Sequence, residues 1–255
     1  MNNRDKGLIR ARFRKRLASY ESQAVIQRQV AGTLAVRFSE MGGGGQIAEI
    51  GCGTGFLTRE ILFRGQTSTL FLNDLVDEAA EGLTEQVRKN RPEITVTAIP
   101  GDAEQIVLPG GLDAVVSAST VQWFDDLSRF AQRVAGTLKT GGIFAFSTFG
   151  PENLHEIKAL TGNGLDYFST TALRDLLEEN FEESEIWEER FSPSFDSPRE
   201  VLRHLQQTGV TGTGDFRWTK TAMERFEENY RKMYGAGNGR VTLTWHVIFC
   251  VCRKR

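Results

Sequence analysis

The chain has 255 residues, 40% of them hydrophobic and 25% charged, enough to bury a full core as one α/β unit and too apolar for a disordered or collagen-like polymer. Lysine and arginine (31) nearly balance aspartate and glutamate (33), which argues against a protein that coats nucleic acid or an anionic membrane. The longest apolar run, Val247 to Cys252, falls far short of the roughly 20 residues of a bilayer-crossing helix, the polar start lacks a signal-peptide core, and an odd cysteine number fits a reducing compartment; a cytoplasmic protein is expected.

Taken in chain order, residues 7 to 38 read as a helical arm. Phe13, Leu17, Tyr20, Ala24, Ala31 and Leu34 recur at spacings of three and four, with Gln27 the one polar member of the stripe. Gly42 to Gly45 break the chain, and Gln46 to Ile50 reads as a strand entering a second glycine cluster. There follow a helix near Thr58 to Arg64, a strand Thr69 to Leu72, a helix Asp77 to Asn90 and a strand Ile94 to Ile99. Then come a strand Asp113 to Ser117, a helix Leu127 to Leu138, a Gly141-Gly142 turn and a strand Ile143 to Thr148. Strands alternating with helices of this length predict a parallel sheet with crossovers. A helix Thr170 to Asn180 and a strand Glu185 to Phe191 continue the pattern. Ser197 to Gly209 and Thr219 to Tyr234 then read as paired helices, an inserted cap, before a last strand Val241 to Val251. Cys250 and Cys252 read as buried thiols of that strand. The expected organisation is one domain: an arm at 1–41, a cofactor-binding core at 46–150, a cap at 192–238 and the last strand within 239–255.

The segment Glu49-Ile50-Gly51-Cys52-Gly53-Thr54-Gly55 lies between a strand and a helix at the first crossover, where glycines let a ligand approach main-chain atoms. Phe56 stands where the dinucleotide fingerprint needs its third glycine, and no phosphate-cradling Gly-x-x-x-x-Gly-Lys stretch exists. An acid before the loop without a pyrophosphate motif suggests a ligand with a cationic end, and S-adenosylmethionine has that chemistry. Asp74, at the tip of the second strand, is placed to accept ribose hydroxyls. Asp102, after the third, offers a carboxylate to an adenine amino group, and Ser117 ends the fourth strand beside the crevice where strand order should reverse.

In these features the chain resembles the class I methyltransferase family, whose Glu/Asp-x-Gly-x-Gly-x-Gly loop, second-strand acid and third-strand Asp correspond to Glu49 to Gly55, Asp74 and Asp102. The resemblance implies a Rossmann-like sheet of seven strands with the last one antiparallel. It also implies S-adenosylmethionine as methyl donor, S-adenosylhomocysteine as product and no metal. Gln27, Glu49, Gly51, Cys52, Gly53, Asp74, Leu75, Asp102, Ala103 and Ser117 are the cofactor contacts it suggests.

No two prolines are adjacent and no cysteine follows a proline, so the usual signatures of base-amine and cytosine methylation are missing. Further segments are similar to the family of malonyl-acyl-carrier-protein O-methyltransferases of biotin synthesis. They are Phe13 to Gln27, Val121-Gln122-Trp123, Phe146 to Gly150, Leu202 through Val210 and Gly239 to His246, although Trp245 stands where tyrosine is more usual in that family. By this likeness the acceptor is the free carboxylate of a malonyl thioester on acyl carrier protein, or on coenzyme A. Arg203 is then a candidate clamp for that carboxylate, or else a solvated arginine. Tyr20 is a candidate to bond the same group or close over the cofactor, or else packs on the arm. His246 is a third catalytic candidate, or a hydrogen-bonded core histidine. The basic run Arg10, Arg12, Arg14, Lys15 and Arg16 suits an acidic carrier protein or a solvated helix face. Two other readings remain at this level: methylation of another small acid or metabolite, and a non-catalytic protein that binds S-adenosylmethionine.

Overall fold

The computed structural model describes residues 5–208 and 218–255. Strand β1 (Gly45–Ile50) pairs in parallel with β2 (Thr67–Asn73) and with β4 (Leu112–Ala118). β3 (Thr95–Ala98) joins β2, and β5 (Leu138–Phe149) joins β4, also in parallel. β9 (Trp245–Lys254) runs antiparallel between β5 and β6 (Phe181–Phe191), so the sheet has the order β3-β2-β1-β4-β5-β9-β6. The expected mixed sheet with an antiparallel last strand is therefore present.

Strand residues alternate between two cores, as a period of two requires. Ile47, Leu70, Val116, Ala145 and Phe249 face one cluster, filled by Leu34 of α2 (Val25–Glu40), Ile61 of α3 (Phe56–Arg64) and Leu83 of α4 (Asp77–Asn90). Ala48, Val115, Phe144 and Cys250 face the other, filled by Phe130 and Val134 of α5 (Leu127–Thr137) and Leu173 and Leu177 of α7 (Thr170–Glu178). Both faces being covered explains why β9 reads as a continuous apolar run. Cys250 and Cys252 lie buried there as free thiols.

Several boundaries differ from the sequence reading, for local reasons. The arm is two helices, α1 (Lys6–Gln23) and α2, separated at Ala24, where φ is −88° and ψ 53°. β5 starts at Leu138 and runs through the expected Gly141-Gly142 turn, because Leu138 pairs with Leu112 across a register shift. The expected final strand is split. Val241–Thr242 forms β8 and pairs with β7 (Ser194–Phe195) in a separate two-stranded sheet. Leu243 N–H then donates to Pro193 O and Thr244 O accepts from Leu154 N–H, so the ladder restarts only at Trp245. A helix that the pattern did not announce, α6 (His155–Thr161), follows β5.

The cap consists of α8 (Pro198–Gln207) and α9 (Lys220–Tyr234). Its first helix is set by the Ser197 hydroxyl accepting from Glu200 N–H and by Pro198 in the first turn. Gly209, expected to end this helix, and Val210, the last residue of the family-like segment, lie outside the described residues. α8 packs against both α9 and α1, which brings cap and arm together. Among the described residues no helix is long and apolar enough to cross a membrane, and no group of three or more His, Cys, Asp or Glu is arranged to hold a metal ion.

Candidate active site

Strand order reverses between β1 and β4, and open α/β sheets bind ligands outside the carboxyl ends of strands at such a point. There the chain leaves β1 through Gly51, whose φ of +69° and whose contact with Thr120 leave no room for a side chain. At Gly53 (φ +51°) nothing lies within 4 Å of where a Cβ would stand, so the backbone is open to an approaching ligand. The loop is anchored by Cys52 N–H donating to Asn73 O (2.9 Å) and Gly53 N–H donating to the Asp74 carboxylate (2.8 Å). Asn73 in turn donates to Ile99 O and Gly101 O at 2.8 and 2.9 Å, which ties the ends of β2 and β3 together.

Around this loop is a cavity of about 130 Å³. It is lined by Glu49 of β1, by Gly51, Cys52, Gly53 and Thr54 of the loop, by Asp74 and Leu75 after β2, by Asp102 and Ala103 after β3, and by Ser119 and Thr120 after β4. The arm covers it. Phe13, Leu17 and Tyr20 of α1 and Gln27 of α2 line the cavity, and Phe13 meets Trp123 edge to face at 5.8 Å while Tyr20 lies 6.1 Å from Phe56. Ion pairs hold α1 down: Lys6 with Glu104 (2.6 Å), Arg10 with Asp77 (2.5 Å) and Arg14 with Glu78.

The floor of the cavity carries two acids whose ionised forms a cationic ligand favours. Glu49 is buried, accepts from the Thr58 hydroxyl at 2.5 Å, and burial pushes its carboxyl up to about 8 against the pull of that bond. Burial likewise raises Asp74, although Val76 and Gly53 N–H groups oppose it. Tyr20 is raised by burial and by the charge of Asp74, so it stays a neutral phenol.

Whether S-adenosylmethionine fits can be judged from polar atoms that the protein leaves unpaired. Gln27 Nε2 and Oε1, Thr54 Oγ1 and Ser119 Oγ are buried, line the cavity and lack hydrogen-bond partners. Buried polar atoms are normally paired, so four in one cavity fit a ligand with an amino-acid end and a nucleoside end. The two carboxylates and the open backbone at Gly53 fit the same molecule.

Of the residues expected from sequence, Tyr20, Gln27, Glu49, Gly51, Cys52, Gly53, Asp74, Leu75, Asp102 and Ala103 all line this one cavity. Three others stand apart. Ser117 is fully buried and its hydroxyl donates to Ile50 O at 2.9 Å, bracing β4 to β1 rather than facing the cavity. His246 accepts Glu152 N–H at Nδ1 (3.2 Å), which leaves Nε2–H to donate to Glu188 (3.1 Å), as in a hydrogen-bonded core histidine. Arg203 has a side chain 65% exposed, lies 3.8 Å from Glu200 and does not line the cavity. Thr54, Ser119, Thr120, Trp123 and Phe124 line the cavity without having been named as cofactor contacts. Ser119 sits at φ +53° just beyond β4, a position that strand alternation does not reach.

Glycine loop, acid pair and strand order together define a class I S-adenosylmethionine-dependent methyltransferase. Residues 48–146 match the family described as methyltransferase domain. A putative methyltransferase from Bacillus halodurans shares the fold at a TM-score of 0.61 and 15% identity, over 86% of this chain and 98% of its own. Phosphoethanolamine N-methyltransferase 2 of Haemonchus contortus, solved with S-adenosyl-L-methionine, does so at 0.59 and 17%, over 94% of this chain and 57% of its own.

Sequence similarity goes further and spans nearly the whole chain. The malonyl-[acyl-carrier protein] O-methyltransferase of Prosthecochloris aestuarii is 38% identical over 100% of this chain and 96% of its own length, and the protein of that name from Bacteroides helcogenes is 38% identical over 98% and 99%. The chain belongs to the malonyl-[acyl-carrier protein] O-methyltransferase family.

Proposed function

We infer that the protein transfers a methyl group from S-adenosylmethionine to the free carboxylate of a malonyl thioester on acyl carrier protein, forming the methyl ester that primes biotin synthesis. The observation that carries this reading is the near-full-length likeness to relatives of that name, joined to a cavity whose polar atoms await a ligand.

When bound, S-adenosylmethionine supplies a methyl carbon on a sulfonium, which is open to in-line displacement. Glu49, which a cationic ligand draws into its ionised form, and Asp74 face the cationic amino-acid end and the ribose hydroxyls, and Asp102 and Ala103 flank the base. Gln27, Thr54 and Ser119 contribute the remaining polar contacts. A carboxylate acceptor is already ionised at pH 7, so no side chain has to take a proton. Orientation and exclusion of water supply the rate, and both tasks fall to the arm. Tyr20, neutral and half-buried above the loop, donates a hydrogen bond and closes the cavity toward the acceptor.

For the carrier protein, this reading uses the exposed face of α1 and α8. Arg10 and Arg14 pair with α4, and Lys15 is an exposed cation of the run, as Arg203 is on the neighbouring helix. An acidic carrier docked there is steered by charge and weakened by salt. The cytoplasm is the compartment this reading expects.

The test is labelled methyl transfer to malonyl-carrier protein, with acetyl-carrier protein as the control that lacks the carboxylate. Label on the malonyl form alone supports the reading; equal labelling of both, or of neither, contradicts it.

A further inference from the structure

Two ring nitrogens where the cap meets the sheet are buried and have no hydrogen-bond partner: His204 Nε2 on α8 and Trp245 Nε1 at the first residue of β9. Trp245 is fully buried, and an indole N–H placed in a protein interior normally finds an acceptor. The two rings meet edge to face, 86° apart in plane, with centroids separated by 6.1 Å. Phe149 at 5.5 Å from Trp245 and Phe195 at 5.2 Å from His204 complete an aromatic enclosure around them.

The position of this pair relative to the cofactor cavity follows from the sheet. Phe149 ends β5, two residues beyond Ser147, whose hydroxyl accepts the backbone N–H of Ser119 on the cavity wall (3.0 Å). β9 lies beside β5, and α8 packs on α1, the helix that roofs the cavity. Trp245 therefore sits at the same carboxyl edge of the sheet as the glycine loop with His204 beside it, both outside the lining of the cofactor cavity and on the cap side of it. Burial holds the His204 imidazole below its ordinary range, so the ring is neutral at pH 7. A neutral ring carries one N–H, and an acceptor presented at Nε2 selects the tautomer that donates to it.

We propose that His204 and Trp245 are specificity-determining residues that donate hydrogen bonds to the oxygens of the malonyl acyl group beneath the cap. The assignment rests on the function inferred above. It accounts for two unpaired ring nitrogens in one enclosure, and it suits the chemistry. Neutral donors fix a carboxylate or a thioester carbonyl while drawing less charge from the attacking oxygen than a guanidinium pair does. The exposed Arg203 is then free to meet the carrier protein rather than the acyl group.

The experiment is a set of single substitutions assayed with malonyl-carrier protein and, separately, for S-adenosylhomocysteine binding and thermal unfolding. Trp245→Phe keeps the ring packing and deletes the N–H. It should raise KM for the malonyl substrate about tenfold or more, with cofactor affinity unchanged and Tm not lowered, since the lost donor had no partner in the free protein. His204→Phe should act in the same way, and His204→Gln, whose amide N–H falls near the position of Nε2, should recover part of the loss. A KM that stays at the parent value in both phenylalanine variants overturns the proposal, as does an equal loss of cofactor affinity. Should Trp245→Phe fail to fold, the His204 pair decides by itself. A parent chain that methylates no malonyl carrier overturns the underlying function, whereas an active parent with unaffected variants overturns only this assignment.

Discussion

At the scale of single residues, the cavity floor couples ligand binding to protons. Glu49 titrates near 8 in the folded chain against about 4.5 in an unfolded one, so the folded state holds a proton that the unfolded state has already lost. Its contribution to stability is thus fully present below about pH 4.5 and disappears as the pH rises through about 8. A cationic ligand favours the ionised form, so calorimetric affinity for S-adenosylmethionine should increase between about pH 6 and about pH 8.5. Glu49→Gln should flatten that increase; an identical pH profile in the variant contradicts the role of the carboxylate. Asp74 holds Gly53 N–H and faces the cavity. Asp74→Asn removes the charge from those contacts and should weaken binding about 10- to 100-fold, read in the same titration.

Much of this floor was legible in the sequence, because a glycine loop between strand and helix and acids at strand ends are local features. Gln27 was legible for another reason: it is polar on an apolar stripe, and the structure shows its amide buried, unpaired and lining the cavity. Ser117 misled because its strand runs one residue further than expected and its hydroxyl turns to Ile50 O. Ser119 and Thr120 take their places from the turn after β4, which no periodicity describes.

At the scale of elements, α1 is a roof held mainly from its ends and flank. Ile9, Phe13, Leu17 and Tyr20 form one wall of the cavity, and exposed or half-buried ion pairs of about 0–1 kcal/mol each fasten the other face. Removing residues 1–23 should leave the sheet folded, as judged by far-UV circular dichroism. The same deletion should weaken S-adenosylhomocysteine binding about tenfold or more through lost apolar contact; undiminished affinity contradicts a roof. On the outer face, Lys15→Glu should raise KM for carrier-bound malonate and leave KM for malonyl-coenzyme A alone, and the difference should shrink as salt is added.

Elements with strong end signals were read well from sequence. α4 spans the residues expected of it, with Asp77 and Glu78 in its first turn and Arg88 and Lys89 in its last. α6 was missed because seven residues give less than two turns of pattern, and its start at Leu154 needs a positive φ that leucine does not advertise. The break at Thr242 was invisible because residues 241–247 alternate apolar and polar and run straight into the apolar stretch from Val247. Only tertiary partners, Pro193 and Leu154, take the backbone bonds of Leu243 and Thr244 away from the ladder.

At the scale of the whole molecule, β9 ties the cofactor half to the cap half. It pairs with β5 and β6 along its length and buries Phe249, which stacks on Trp187 at 4.8 Å, in the core that the arm and cap share. Phe249→Ala should cost about 3–5 kcal/mol of stability, measured by denaturant unfolding, and a loss near zero contradicts a shared core. One sheet edge thus carries the cofactor loop, the roof and the acceptor side, and the chemistry needs all of them in register.

What the cavity at the ends of β1 and β2 accepts decides the function. Isothermal titration of the purified chain with S-adenosylhomocysteine and, in parallel, with a nicotinamide dinucleotide tests it directly. Saturable heat at one site for the homocysteine nucleoside, with none for the dinucleotide, is the predicted result; the reverse pattern contradicts the account.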